Sequence, residues 1–173
     1  MRSLRCDREI GFNMIAILIT LFSVIIDRIT KSIAASALKP LGSIPVIKDI
    51  LHVTYVENTG AAFGMLKDNR WIFMGMSAIT IVVIVGYLIY SREKRHSLLT
   101  LSLCLILAGG IGNMIDRIFY GYVVDFIDFR LINFAVFNLA DTEVSIGAFF
   151  LIIYILFIET KKEGNPAGQT NGK

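Results

Sequence analysis

The chain has 173 residues, 55% of them hydrophobic and 18% charged, with a mean hydropathy of +0.67. A soluble domain carries about 25% charged residues, so this balance excludes both an ordinary water-soluble globule and a disordered chain. A net charge of +3 is too small in so apolar a chain to signal nucleic-acid binding, and two cysteines, Cys6 and Cys104, exclude a disulfide scaffold.

The first charge-free run, Ile10–Ile26, follows Arg2, Arg5 and Arg8. A crossing helix needs roughly 17–25 residues, so this span is expected to continue to about residue 30, carrying Asp27 to the bilayer surface. It reads as a retained span, not a cleaved leader, because Asp27, Arg28 and Lys31 would otherwise separate the apolar run from the small residues Ala34–Ala37. Ile29–Leu38 either extends this helix or forms a short surface one. Ile44–Ile47 and Leu51–Val56 are β-branched runs bounded by Gly and Pro, and read as strands of a small outward β element over about residues 41–66. Glu57–Gly64 is rich in small residues, suited to close approach of another backbone.

Trp71–Ser91 and Ser97–Ile115 are long enough to cross unaided, the latter continuing to about residue 118, with Arg92, Lys94 and Arg95 in the link between them. Tyr120–Phe129 is too apolar for a wet loop and is expected to lie against the membrane or the helix ends. Val144–Ile158 has only 15 residues, so the fourth helix must begin near Asp141. Lys161 and Lys162 follow it, and Gly164–Lys173 reads as a disordered tail. The basic residues place both termini and the 92–95 link in the cytoplasm. The expected architecture is an all-α membrane protein with a small extracytoplasmic β element and four transmembrane helices, one domain over residues 1–163.

Ionisable groups inside a membrane cost about 2.5–3.5 kcal/mol each, so they need a partner or a task. Here Asp27, Asp116, Arg117, Asp125, Asp128, Asp141 and Glu143 all fall at the outer face, which describes one site and not a path across the bilayer. Asn113, Asp116 and Arg117 share a helix face, and Asp27 and Lys31 are spaced i, i+4. Both sets suit structural pairing and a direct role equally well. Arg117 reads as a positioning residue. Asp125 follows the third span and Asp141 opens the fourth, so the chain can bring the two carboxyls together; Asn138 and Asp141 also suit a helix cap. On an extended segment Asp125 and Asp128 point to opposite sides. Asp125, with Val123 and Ile127, is assigned to the site, and Asp128 to water beside Arg130.

Two aspartates in a partly desolvated site share a proton, an arrangement that activates water for hydrolysis. Other kits are missing. His96 and Ser97 lie at the cytoplasmic side, His52 stands alone, Cys104 lacks a basic partner, and no metal-ligand spacing occurs, so no metal or cofactor is expected. A small proton-coupled carrier using Asp27, Asp116 and Asp141 is the alternative. An alcohol-phosphotransferase motif would need a glycine where Phe129 stands, and a thiol oxidoreductase would need outward cysteine pairs.

Five blocks in order resemble the lipoprotein signal peptidases, or signal peptidase II family: Asp27–Lys31, Asn58–Gly64, Gly110–Arg117, Val123–Phe126 and Phe137–Asp141. The resemblance implies an intramembrane aspartic endopeptidase of the bacterial plasma membrane, with its active site in the outer leaflet. Asp125 and Asp141 would be the catalytic dyad. Asp27, Asn58, Gly60, Asn113, Arg117, Asn138 and Ala140 would line or brace the site, with Lys31 and Asp116 structural. The implied partners are a diacylglyceryl-modified prolipoprotein, membrane lipid and globomycin-type cyclic peptide inhibitors, and the expected state is a monomer. The resemblance also implies a β-sheet cradle and a helix covering the site, drawn from Lys31–Leu41 or Gly64–Arg70.

Overall fold

The computed structural model describes residues 2–60, 69–91 and 96–160, the side chains of residues 2–13 excepted. The expectations for the second half of the small-residue run Glu57–Gly64, the 64–70 cover, the basic link, Lys161, Lys162 and the tail therefore lie wholly or largely outside the described residues. In chain order the elements are α1 (Arg2–Leu38), β1 (Ser43–Ile47), β2 (Leu51–Asn58), α2 (Arg70–Tyr90), α3 (Ser97–Phe119), β3 (Val123–Phe129) and α4 (Leu139–Ile153). A 3-10 turn, Arg130–Ile132, follows β3, and α4 ends in a π-helical turn, Tyr154–Glu159.

Among the described residues three helices are long and apolar enough to cross a membrane: Arg70–Tyr90, Ser97–Phe119 and Leu139–Glu159, with mean hydropathies of 2.4, 2.0 and 1.9. The last reaches crossing length by beginning at Leu139, ahead of its acids. α1 runs on to Leu38, so Ile29–Leu38 extends the first helix. Many of its described apolar side chains, among them Leu18, Phe22 and Ile25, stay exposed, while Ala16, Ala34 and Leu38 are buried.

α3 is the central helix. It buries Leu99, Leu103 and Leu107 with Ile84 of α2 and Tyr154 beyond α4, at the end away from the sheet. Glycine lets α3 and α4 meet closely. A Cβ on Gly109 would run into the Ala140 carbonyl oxygen and the Val144 side chain, and one on Gly112 would meet the Asp27 carboxylate. A backbone carbonyl cannot swing aside as a side chain can. Gly109→Ala is thus expected to push the helices apart, lowering stability by about 1–3 kcal/mol and activity with it, read from thermal unfolding in detergent. An unchanged melting temperature would mean that the helices do not touch there.

The three strands form one antiparallel sheet in the order β1-β2-β3. Val56 pairs with Asp125 and Asn58 with Val123, so β2 delivers its end beside the first site aspartate. β3 is thus a strand of the sheet, where the sequence suggested a segment merely lying against helix ends. Ala34 and Leu38 of α1 pack on Val124, Val53, Tyr55 and Phe126, which docks the sheet on the end of α1.

Candidate active site

The site is assembled around the first turn of α4. Asn138 caps it: its Oδ1 accepts from the Asp141 amide at 3.0 Å, and Asp141 Oδ2 accepts from the Asn138 amide at 3.2 Å. This capping box pins Asp141 where the helix dipole favours negative charge. It also fixes which way the Asn138 amide points. Its Nδ2 donates to Asp125 Oδ1 at 2.6 Å and to Asn113 Oδ1 at 3.2 Å. Asn113 Nδ2 donates to Asp141 Oδ1 at 2.8 Å, and Asn58 Nδ2 to Asp125 Oδ2 at 2.8 Å. Three asparagines thus hold two carboxyls that come from β3 and α4.

Both carboxyls line a cavity of about 620 Å³. Asn58, Gly60, Asn113 and Arg117 make its polar end, while Phe73, Val144 and Ile146 continue it along α2 and α4. Arg117 donates to the Gly60 carbonyl at 3.3 Å and the Asn113 carbonyl at 3.4 Å, and lies over the Phe73 ring at 5.2 Å. Gly60 in turn donates its N–H to Asn58 Oδ1 at 2.9 Å, which orients that amide too. Burial, reinforced by the neighbouring Asp141 charge, pushes the Asp125 carboxyl up to about 7, despite the hydrogen bonds from Asn58 and Asn138.

Beneath this layer lies a buried ionic one. Lys31, 1% exposed, donates to Asn113 Oδ1 at 2.8 Å and pairs with Asp27 at 2.9 Å and Asp116 at 3.0 Å. Arg28 pairs with the other oxygen of Asp116. Asp27 Oδ1 accepts from the Ala140 amide at 3.1 Å, tying α1 to the start of α4. Two cations and two carboxylates balance within the layer, as a low-dielectric site requires.

Asp128 corrects the sequence reading in one respect. It sits on the β3 face opposite Asp125, but it is buried, accepting from Thr54 Oγ1 at 2.7 Å and Arg130 Nε at 2.9 Å. Burial works against its charge, yet those two donors outweigh it and hold the carboxyl below its usual range. Ile127, expected beside Asp125, does not line the cavity; Val123 does. His52 is buried with Nδ1 at 3.4 Å from Ser43 Oγ, and His96 caps α3 by accepting from the Leu98 amide. Cys104 is buried against the Ala16 carbonyl of α1. The sequence reading missed Arg28, and also Phe73 and Ser77 of α2, whose only signal was the aromatic and small residues near the start of that helix.

The profile of the family described as signal peptidase (SPase) II matches residues 19–157, a stretch that contains every site residue named above. The chain belongs to the signal peptidase II family. It is similar to proteins named lipoprotein signal peptidase. One, from Caldanaerobacter subterraneus subsp. tengcongensis, is 50% identical over 145 residues, covering 82% of this chain and 96% of the relative. Another, from Halothermothrix orenii, is 48% identical over 139 residues, covering 80% and 92%. A solved structure described as a bacterial membrane enzyme superposes with a TM-score of 0.75 at 33% identity, covering 91% of this chain and 94% of the other. The chain is accordingly a protease, and its cavity is the place to look for the chemistry.

Proposed function

We propose that the protein is an intramembrane aspartic endopeptidase that removes signal peptides from diacylglyceryl-modified prolipoproteins, with Asp125 and Asp141 as its catalytic dyad. The reading rests above all on one observation: Asn138 donates to Asp125 while capping the turn that carries Asp141. Two carboxyls so constrained face a cavity whose far walls are apolar helix, suited to an extended peptide on one side and a hydrophobic segment on the other.

Asp141, the ionised member, takes a proton from water as its oxygen attacks the scissile carbonyl. Asp125, the protonated member, donates to the carbonyl oxygen. As the tetrahedral intermediate collapses, Asp125 takes back a proton from its hydroxyl, the C–N bond breaks, and the proton held by Asp141 passes to the departing amine of the lipidated cysteine. No covalent enzyme intermediate forms. Arg117, Asn58, Gly60, Asn113 and Ala140 position this pair; Asp27, Lys31 and Asp116 brace it.

The same reading places four helices across a bacterial plasma membrane, with both termini in the cytoplasm and the sheet end at the outer leaflet. There the acyl chains of the substrate, at about 0.8 kcal/mol per buried methylene, would hold the scissile bond at the depth of the dyad. Globomycin-type cyclic peptides would compete for the same cavity. The deciding experiment incubates purified protein with a lipidated precursor and follows both products by mass spectrometry. Cleavage immediately before the modified cysteine is expected. Proton-driven flux in liposomes with no cleavage would replace the protease with a small proton-coupled carrier.

A pH dependence follows from the raised Asp125 carboxyl. Below about 7 it keeps the proton it must donate; above that it loses it. The alkaline limb of kcat/KM is thus expected to fall about tenfold per pH unit once well past 7. A rate flat from pH 7 to 9 would remove Asp125 from the acid role.

A further inference from the structure

We propose that a second cavity, at the sheet end of α1, binds the phosphodiester group of a phospholipid whose acyl chains lie on Leu18, Leu21 and Ile25. The cavity is about 390 Å³ and is walled by Arg28, Ser32 and Ala35 of α1 together with Tyr55, Tyr120 and Tyr122. None of its lining residues lines the catalytic cavity. Lys31 forms its floor, but its ammonium is committed to Asp27, Asp116 and Asn113. Arg28 is different. One guanidinium nitrogen pairs with Asp116, while Nε and the second terminal nitrogen have no hydrogen-bond partner among the described residues, and the side chain is 27% exposed. The Ser32 hydroxyl one turn on is also without one, and the Arg28 guanidinium faces the Tyr120 ring at 5.8 Å.

A fork of unspent N–H donors beside a hydroxyl suits the two free oxygens of a phosphodiester. The charge balance favours a lipid over a free ion. Arg28 and Lys31 are already matched by Asp116 and Asp27, so the cavity offers hydrogen bonds but little net field to a mobile dianion. A phosphate tethered to acyl chains needs no such field. The helix supplies their track: at 100° per residue, Leu21 and Ile25 lie on the strip of α1 leading away from Arg28 and Ser32, with Leu18 beyond them. All three are more than half exposed. The inference needs only that α1 lies in a membrane, so it stands or falls separately from the peptidase reading.

The test uses the full chain in detergent, titrated with phosphatidylglycerol and read by native mass spectrometry. Ser32→Leu and Ala35→Phe fill the cavity without touching the Asp116 pair or the dyad. Wild type is expected to retain one lipid. Each variant should lower retention at a given lipid concentration by about tenfold, the worth of one charge-assisted hydrogen bond. Diacylglycerol, which lacks the phosphate, should be retained equally by wild type and both variants, since any of it held in the catalytic cavity does not touch Ser32 or Ala35. Equal retention of phosphatidylglycerol by wild type and both variants, or a loss of diacylglycerol retention in the variants as large as that of phosphatidylglycerol, would overturn the site. Inorganic phosphate raising the melting temperature of wild type but not of the variants would overturn the lipid as its occupant.

Discussion

Asp141→Asn is expected to abolish cleavage of lipidated precursor, with kcat down by about 10²–10⁴-fold and substrate binding retained, since an amide cannot take the proton from water. Asp125→Asn should lose activity to a similar degree, and both substitutions also disturb hydrogen bonding, since Asp141 likewise accepts at both oxygens, from Asn113 Nδ2 and the Asn138 amide. Both oxygens of Asp125 accept from amide nitrogens, Asn58 Nδ2 and Asn138 Nδ2. A protonated carboxyl keeps both bonds, because its hydroxyl oxygen still accepts. An asparagine does not: its nitrogen would face a donor, and neither partner can turn away. Asn58 Oδ1 is held by the Gly60 amide and Asn138 Oδ1 by the Asp141 amide. Thermal unfolding therefore accompanies the assay, so that lost chemistry is separated from lost fold. Asp128→Asn, on the opposite face of β3, should keep near-wild-type turnover. Substantial cleavage by either dyad variant, or its loss in the Asp128 control alone, would reassign the reaction.

The described helices long and apolar enough to cross a membrane were legible as charge-free runs, because a bilayer imposes a length and forbids unpaired charge. The cap on α4 was legible too, as Asn138 and Asp141 are local in sequence. β3 was not. Val123, Val124 and Asp125 are all buried, since α1 and α3 cover one face and the cavity polar groups the other. A strand covered on both faces loses the alternation by which strands are recognised. Asp128 was misplaced for a related reason: its cover comes from Thr54, a partner 74 residues away. Arg28 escaped notice because its carboxylate lies 88 residues on, at the end of α3. Asp27 and Lys31, one helical turn apart, announced their pairing. Gly109 and Gly112 mark the close contact with Ala140 and Asp27, and small residues at i, i+3 on a membrane helix are a signal for such contact. The layer that supports the dyad was thus half visible: the members on one helix could be read, and the links between helices could not.

Lys31→Met is expected to be among the most destabilising single changes in the chain. It would leave Asp27 with no cation and Asp116 with Arg28 alone, both carboxyls being fully buried. Breaking a buried pair by removing one partner costs about 3–5 kcal/mol, a large share of the roughly 5–15 kcal/mol that holds a typical protein folded. The damage should reach the dyad. Asn113 would keep only the longer bond from Asn138 on its Oδ1, and its amide is what faces Asp141. The double variant Asp27→Asn/Lys31→Met separates charge from packing. The carboxamide that replaces the Asp27 carboxylate can still accept from the Ala140 amide, but it leaves no unpaired charge beside the methionine. The double variant should therefore be more stable than Lys31→Met alone, giving a coupling of the sort contacting residues show. If the two substitutions simply add in a thermal-unfolding cycle, Lys31 does not balance Asp27, and the ionic layer owes its cohesion to Arg28 and Asp116. If Lys31→Met melts as wild type does, the layer carries no stability, and the three asparagines alone hold Asp125 and Asp141 in place.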